Sequence, residues 1–229
     1  MITTVLLDGG GVIVDESLME MIHSEIISEL LCVVTPGYTV IDYYDDLDEA
    51  VWSFCPNVYK YIIWKHCKGD VTLFERLKKR HLDAWKERRP PLELFAGLKE
   101  EIESLSSDFK FAIAGQYGHE IIELLEKHSL LKYFRSHLTQ DDFKITKPDP
   151  RYYEQIIAHI GVTAQECIMV GDRIDKDIIP AKQVGMKTIL VRTGIHKHQK
   201  PRVPFEIPDR ELPGIKGLAE AIIIIAKNS

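Results

Sequence analysis

The chain has 229 residues, 45% hydrophobic and 28% charged, which is enough apolar material for one large domain or a domain carrying a smaller one. Its 29 Lys and Arg stand against 35 Asp and Glu, a net charge of −6 that argues against holding nucleic acid through its phosphates. No apolar run approaches the ~20 residues of a membrane helix. The first basic residue is Lys60, so no secretory leader with a basic start is expected, and Cys32, Cys55, Cys67 and Cys167 lack C-x-x-C spacing. A cytoplasmic protein with reduced, mostly buried thiols and neither a nucleic-acid nor a membrane partner is expected. Monomer and homodimer both remain open.

In chain order, a short β-rich run at 3–7 stops at Asp8-Gly9-Gly10-Gly11 and resumes with Val12-Ile13-Val14. From 17 to 89 the pattern turns helical. Leu18, Met21, Ile22, Ile26 and Leu30 recur near a 3.6-residue period, and Arg89-Pro90-Pro91 closes the stretch. Residues 1–59 hold 11 acids and no Lys or Arg, whereas 60–91 hold 10 bases against 4 acids. Helices pairing opposite charges account for this, and attraction of an anionic substrate is the second reading. Helices then follow at 94–105, 120–128, 152–160, 178–184 and 217–227, alternating with strands at 109–114, 135–138, 167–170 and 187–191. A proline-rich surface segment spans 201–213. Such alternation predicts an α/β fold with a doubly wound parallel sheet. The helical block interrupts it after the first strand, so a core of 1–15 and 93–229 with an inserted helical cap at 16–92 is expected.

In an open parallel sheet, ligands sit at the carboxyl ends of the strands. Four polar positions fall there or close by: Asp8, Gly115-Gln116, Lys147 and Asp172. Two acids and a lysine are suited to holding a divalent cation and a phosphate together. Singly, each has a plainer role: an Asp at a strand end is often a turn former or cap, and Lys147-Pro148-Asp149-Pro150 reads as a rigid helix entry.

As an ordered set, Val5-Leu6-Leu7-Asp8-Gly9-Gly10-Gly11-Val12, Phe111-Ala112-Ile113-Ala114-Gly115-Gln116, Lys147-Pro148-Asp149-Pro150 and Ile168-Met169-Val170-Gly171-Asp172-Arg173-Ile174-Asp175-Lys176-Asp177 resemble the haloacid dehalogenase-like hydrolases, largely phosphatases. The resemblance implies a Rossmann-like core and a Mg²⁺-dependent phosphatase acting on a small phosphorylated metabolite. In that reading Asp8 is the nucleophile and forms an aspartyl-phosphate. Asp8, the Gly10 backbone carbonyl, Asp172 and Asp177 hold Mg²⁺, Lys147 neutralises the phosphate, and Gly115 and Gln116 bind it.

Two positions depart from the family pattern. Gly10 replaces a second Asp that protonates the leaving oxygen, a general acid worth about 10²–10⁴ in rate. Asp15 and Glu16 lie a few residues away, and Gly10→Asp is expected to raise turnover on alkyl phosphates. Gly115 replaces a Ser or Thr hydroxyl. A C–P or C–halogen hydrolase of the same superfamily, and a binding or regulatory protein with a decayed site, are the alternatives. His119 is expected to be solvated, His196-Lys197-His198 to lie in a surface loop or against the cap, and Arg173 to pair with Asp177 or reach the site rim. Tyr38, Tyr43, Tyr44, Tyr59 and Tyr61 are expected in the core of the helical block.

Overall fold

A computed structural model describes residues 1–228. The chain divides into two compact units, Met1–Glu16 with Leu92–Ser229, and Ser17–Pro91.

The first unit is an α/β layer structure. Its five strands are β1 (Thr4–Leu7), β2 (Lys110–Ile113), β3 (Cys167–Gly171), β4 (Lys187–Val191) and β5 (Arg210–Leu212), arranged β2-β1-β3-β4-β5, with every pairing parallel. The apolar side chains of β1 and β3 are fully buried, as expected of central strands covered by helices on both faces. Strand order reverses at β1, which lies between β2 and β3. Leu7 is in register with Ile113 and with Val170, so the residues that follow all three strands emerge at one rim.

The helices of this unit start and stop where local chemistry dictates. Helix α7 (Pro150–Ile160) has Asp149 as N-cap, Pro150 at its first position and Gly161 in the left-handed region at its end. Two of its tyrosines, Tyr152 and Tyr153, are buried with Leu6, Met169 and Ala181. Helices α5 (Leu98–Leu105), α6 (Glu120–Lys127), α8 (Ile179–Gln183) and α9 (Leu218–Lys227) complete the unit.

Three expectations about elements are corrected. The segment 135–138 is not a strand. Phe134 makes one bridge to Phe111 and Arg135 N donates to Phe111 O (2.8 Å), after which the chain leaves the edge of β2. Helix α5 begins at Leu98 and not at 94, because Leu94 pairs with Val14 and Phe95 N donates to Ile13 O (2.8 Å). The segment 201–213 contains strand β5, a three-residue edge strand of exposed and half-buried side chains that gives no apolar signal.

The second unit is four helices, α1 (Ser17–Leu31), α2 (Val40–Trp52), α3 (Val58–His66) and α4 (Val71–Arg88). Thr39 and Asp42 form a capping box on α2, and Asn57 and Asp70 cap α3 and α4. The charge asymmetry is used between helices: Arg88 of α4 meets Glu25 (2.5 Å) and Glu29 (3.1 Å) of α1, and Lys65 of α3 meets Asp46 (2.6 Å) and Glu49 (2.5 Å) of α2. Tyr38 and Tyr43 are buried there, whereas Tyr44 is exposed. All four cysteines are free, with Cys67 and Cys167 buried, Cys55 half-buried and Cys32 exposed. No helix of the described residues is long and apolar enough to cross a membrane.

Candidate active site

Asp8 follows β1 directly, and its backbone N donates to Val170 O (2.9 Å), which fixes it beside the end of β3. Lys147 arrives just before α7. Its Nζ donates to Asp8 Oδ1 (2.7 Å) and Asp177 Oδ1 (2.5 Å), and the side chain is 1% exposed. Asp177 sits in a π-helical turn, Ile174–Ile178, that leads into α8, and its Oδ2 accepts from the Arg173 backbone N (3.0 Å). Asp8, Asp172 and Asp177 each offer a carboxylate oxygen within 4.8 Å of the others. Residues distant in sequence thus meet at the rim where strand order reverses.

The electrostatics of this cluster are unbalanced. Burial pushes the Asp172 carboxyl well above the usual carboxylate range, and the charges of Asp8, Asp177 and Glu16 push it further. Burial, with Asp8, raises Asp177 against the pull of Lys147. Burial disfavours charge on Lys147, but Asp177 and Asp8 outweigh it and hold the ammonium well above its ordinary range. Three buried carboxyls against one lysine leave negative charge uncompensated. Hard oxygen donors with excess negative charge are what Mg²⁺ takes, so the donor set fits this ion.

Surrounding groups hold the cluster in place. Tyr152 OH donates to Gly115 O (2.9 Å) and Tyr153 OH to Lys176 O (2.9 Å), which ties α7 to the loops after β2 and β3. Thr193 Oγ1 donates to Gly11 O (2.6 Å). Gly115 carries no side chain for a steric reason: a Cβ there would lie 2.4 Å from Gly9 N, inside the loop that bears Asp8. A Ser or Thr at 115 therefore requires that loop to move. Gln116 is exposed, and its Oε1 accepts from Lys176 Nζ (3.1 Å).

Of the two roles expected for Arg173, pairing with Asp177 is not found: its guanidinium pairs with Asp175 (2.7 Å) while Asp177 takes its backbone N–H, and its charge acts on Asp172 and Glu16 at the site rim. His196 is 6% exposed, not a surface residue, and its Nδ1 has no partner; Lys197 and His198 remain exposed. His119 is exposed at the start of α6.

Glu16 was legible only as a nearby acid. It is half-buried, accepts from Tyr117 OH (2.5 Å) and belongs to the α/β unit. Burial raises its carboxyl, Tyr117 opposes this, and Asp8 adds to it. Tyr117 and the two α7 tyrosines carried no spacing signal, because their hydroxyls act through the tertiary fold alone.

A family model described as haloacid dehalogenase-like hydrolase matches residues 47–191. The chain belongs to this family. A glyceraldehyde 3-phosphate phosphatase from Methanopyrus kandleri is 29% identical over 106 residues, 46% of each chain, so the match spans under half of that relative's length. The crystal structure of a predicted phosphoglycolate phosphatase from Haemophilus somnus aligns with a TM-score of 0.68 at 17% identity, covering 96% of this chain and 98% of that one. A putative hydrolase of the family from Bacillus subtilis, bound to magnesium, aligns at 0.66 and 19% identity with the same coverage. At these identities the two structures establish the fold.

Proposed function

We propose that the protein is a Mg²⁺-dependent phosphatase that hydrolyses a small phosphorylated metabolite through an aspartyl-phosphate on Asp8. The observation that carries this reading is the Lys147 ammonium, set 2.7 Å from Asp8 and 2.5 Å from Asp177, with Asp172 completing the carboxylate cluster. Lys147 fixes one Asp8 oxygen and leaves the other to attack phosphorus, and its charge offsets that of the incoming phosphoryl group. Mg²⁺, held by Asp8, Asp172, Asp177 and the Gly10 carbonyl, would supply further positive charge opposite the transferring phosphoryl oxygens. The Gly115 N–H and the Gln116 amide, whose oxygen is already engaged by Lys176, are the donors assigned to the phosphate. The small phosphorylated compounds named for the Methanopyrus and Haemophilus proteins support a substrate of a few carbons.

The test is phosphate release from 4-nitrophenyl phosphate and a panel of phosphorylated metabolites, with and without Mg²⁺, beside a metal-free haloacid assay. Activity that requires Mg²⁺ and falls at least about 10⁴-fold in Asp8→Asn is expected. Equal activity in Asp8→Asn, or halide release without metal, overturns the proposal.

A further inference from the structure

Position 10 has no side chain, and the space beside it is filled. A Cβ built on Gly10 would lie 2.5 Å from both Glu16 carboxyl oxygens and 2.6 Å from the carbon between them. The chain turns back to reach this point. Gly11 N donates to Val14 O (3.0 Å), Val14 N donates to Gly9 O (2.8 Å), and Asp15 N is held by Glu93 O (2.9 Å). The Glu16 carboxyl is therefore delivered by a hydrogen-bonded turn, and its place does not depend on a flexible loop.

The carboxyl is also oriented. Tyr117 OH donates to Oε1, so Oε1 is an acceptor and Oε2 is the oxygen left to carry or take a proton. The Tyr117 ring lies against Gly9, next to the nucleophile (a Cβ on Gly9 would be 2.6 Å from it). Glu16 neighbours Asp8 and Asp172 from outside the set of three carboxylates, Asp8, Asp172 and Asp177, that could share one ion. Its half-exposure leaves a path to a bound substrate.

We infer that Glu16 replaces the side chain missing at position 10, as the residue that gives a proton to the leaving oxygen and takes one from the attacking water. This rests on the phosphatase reading above. In the first step Asp8 forms a bond to phosphorus, the bond from phosphorus to the leaving oxygen breaks with its electron pair, and that oxygen takes the Glu16 proton. In the second, Glu16 takes a proton from water, the water oxygen bonds to phosphorus, and the Asp8–phosphorus bond breaks. Asp8 is then a carboxylate again and Glu16 is reprotonated. Tyr117 is the positioning residue.

The geometry also revises the Gly10→Asp expectation. That substitution alone drives a second carboxylate into the Glu16 carboxyl, so a gain is expected only when Glu16 is removed at the same time.

The experiment compares wild type, Glu16→Gln, Glu16→Ala and Glu16→Ala with Gly10→Asp, all in the full chain. Glu16→Gln is expected to lower turnover of alkyl phosphates about 10²–10⁴-fold. With 4-nitrophenyl phosphate, whose leaving group needs no acid, the same variant releases a burst of about one nitrophenol per chain and then stalls. Phosphorylated Asp8 accumulates and is read by mass spectrometry. The double variant recovers about tenfold or more over Glu16→Ala on alkyl phosphates. Alkyl turnover in Glu16→Gln at the wild-type rate overturns the inference, and so does loss of the burst together with turnover. A wild type with no Mg²⁺-dependent phosphate release would instead sink the phosphatase reading, so the two failures are distinct.

Discussion

In the helical unit, Glu20 accepts the hydroxyls of Tyr43 (2.7 Å) and Tyr59 (2.9 Å), and Asp46 takes Tyr38 OH (2.7 Å), Lys65 Nζ (2.6 Å) and His66 Nε2 (2.7 Å). Each of these two acids, the half-buried Glu20 and the buried Asp46, meets several donors. At the rim of the α/β unit the ratio is inverted: Asp8 and Asp177 share one lysine, Asp172 adds a third carboxyl, and Glu16 stands close by. The same residue types serve two ends. Where donors match acceptors, a buried acid holds helices together; where carboxyls outnumber the cations beside them, the excess charge is what a candidate cation site requires.

That contrast breaks most visibly at the two lysines. Lys147→Met leaves two buried carboxylates uncompensated and is expected to cost about 3–5 kcal/mol in metal-free buffer, or about 6–20 °C in melting temperature for a chain of this size. Lys65→Met removes a partly exposed lysine whose partner Asp46 keeps two other donors, so it should cost about 0–1 kcal/mol. Scanning calorimetry of both variants decides this, and similar losses would erase the distinction between the units.

The helical unit has a pH dependence of its own. His23 Nδ1 and His81 Nε2 share a 3.0 Å hydrogen bond, and the His23 ring stacks on Tyr59 and Trp85. Burial, with His81 adding to it, lowers His23 to about 3, and burial lowers His81 to about 4. Both rings are neutral in the folded chain, while the unfolded chain takes up protons below pH ~6.5. Stability is therefore full above that pH and falls as pH drops toward 4, by about 1.4 kcal/mol per pH unit for each ring. Trp52, Trp64 and Trp85, the chain's 3 tryptophans, all lie in this unit, so urea unfolding followed by fluorescence at pH 7 and pH 5 reads it. A flat profile contradicts the buried neutral pair.

Gly115→Ser sharpens the comparison at finer scale. Restoring the hydroxyl common in the family should lower activity and cost about 1–3 kcal/mol, because the added atoms overpack against Gly9 N. Unchanged stability with faster turnover would show that the Asp8 loop yields easily.

The sequence discloses what depends on local order. Asp8, Lys147 and Asp172 were legible because each borders a buried strand or a proline-set helix entry, and β1, β3 and β4 because runs such as Cys167-Ile168-Met169-Val170 have no polar interruption. Segment 135–138 misled because a short run beside an edge strand pairs for one residue only. Strand β5 was hidden by its charged text, Arg210-Glu211-Leu212. The closeness of Glu16 to Gly10 depends on the turn at 11–14 and on Tyr117, about a hundred residues farther on, so spacing alone could not disclose it.

The most direct measurement is mass spectrometry of the full chain, mixed with Mg²⁺ and a turned-over phosphate ester and quenched in acid within a single turnover. The account predicts one phosphate, mapped to Asp8 and absent from Asp8→Asn. Turnover with no phosphate on Asp8 at any quench time, or with phosphate on another residue, contradicts it.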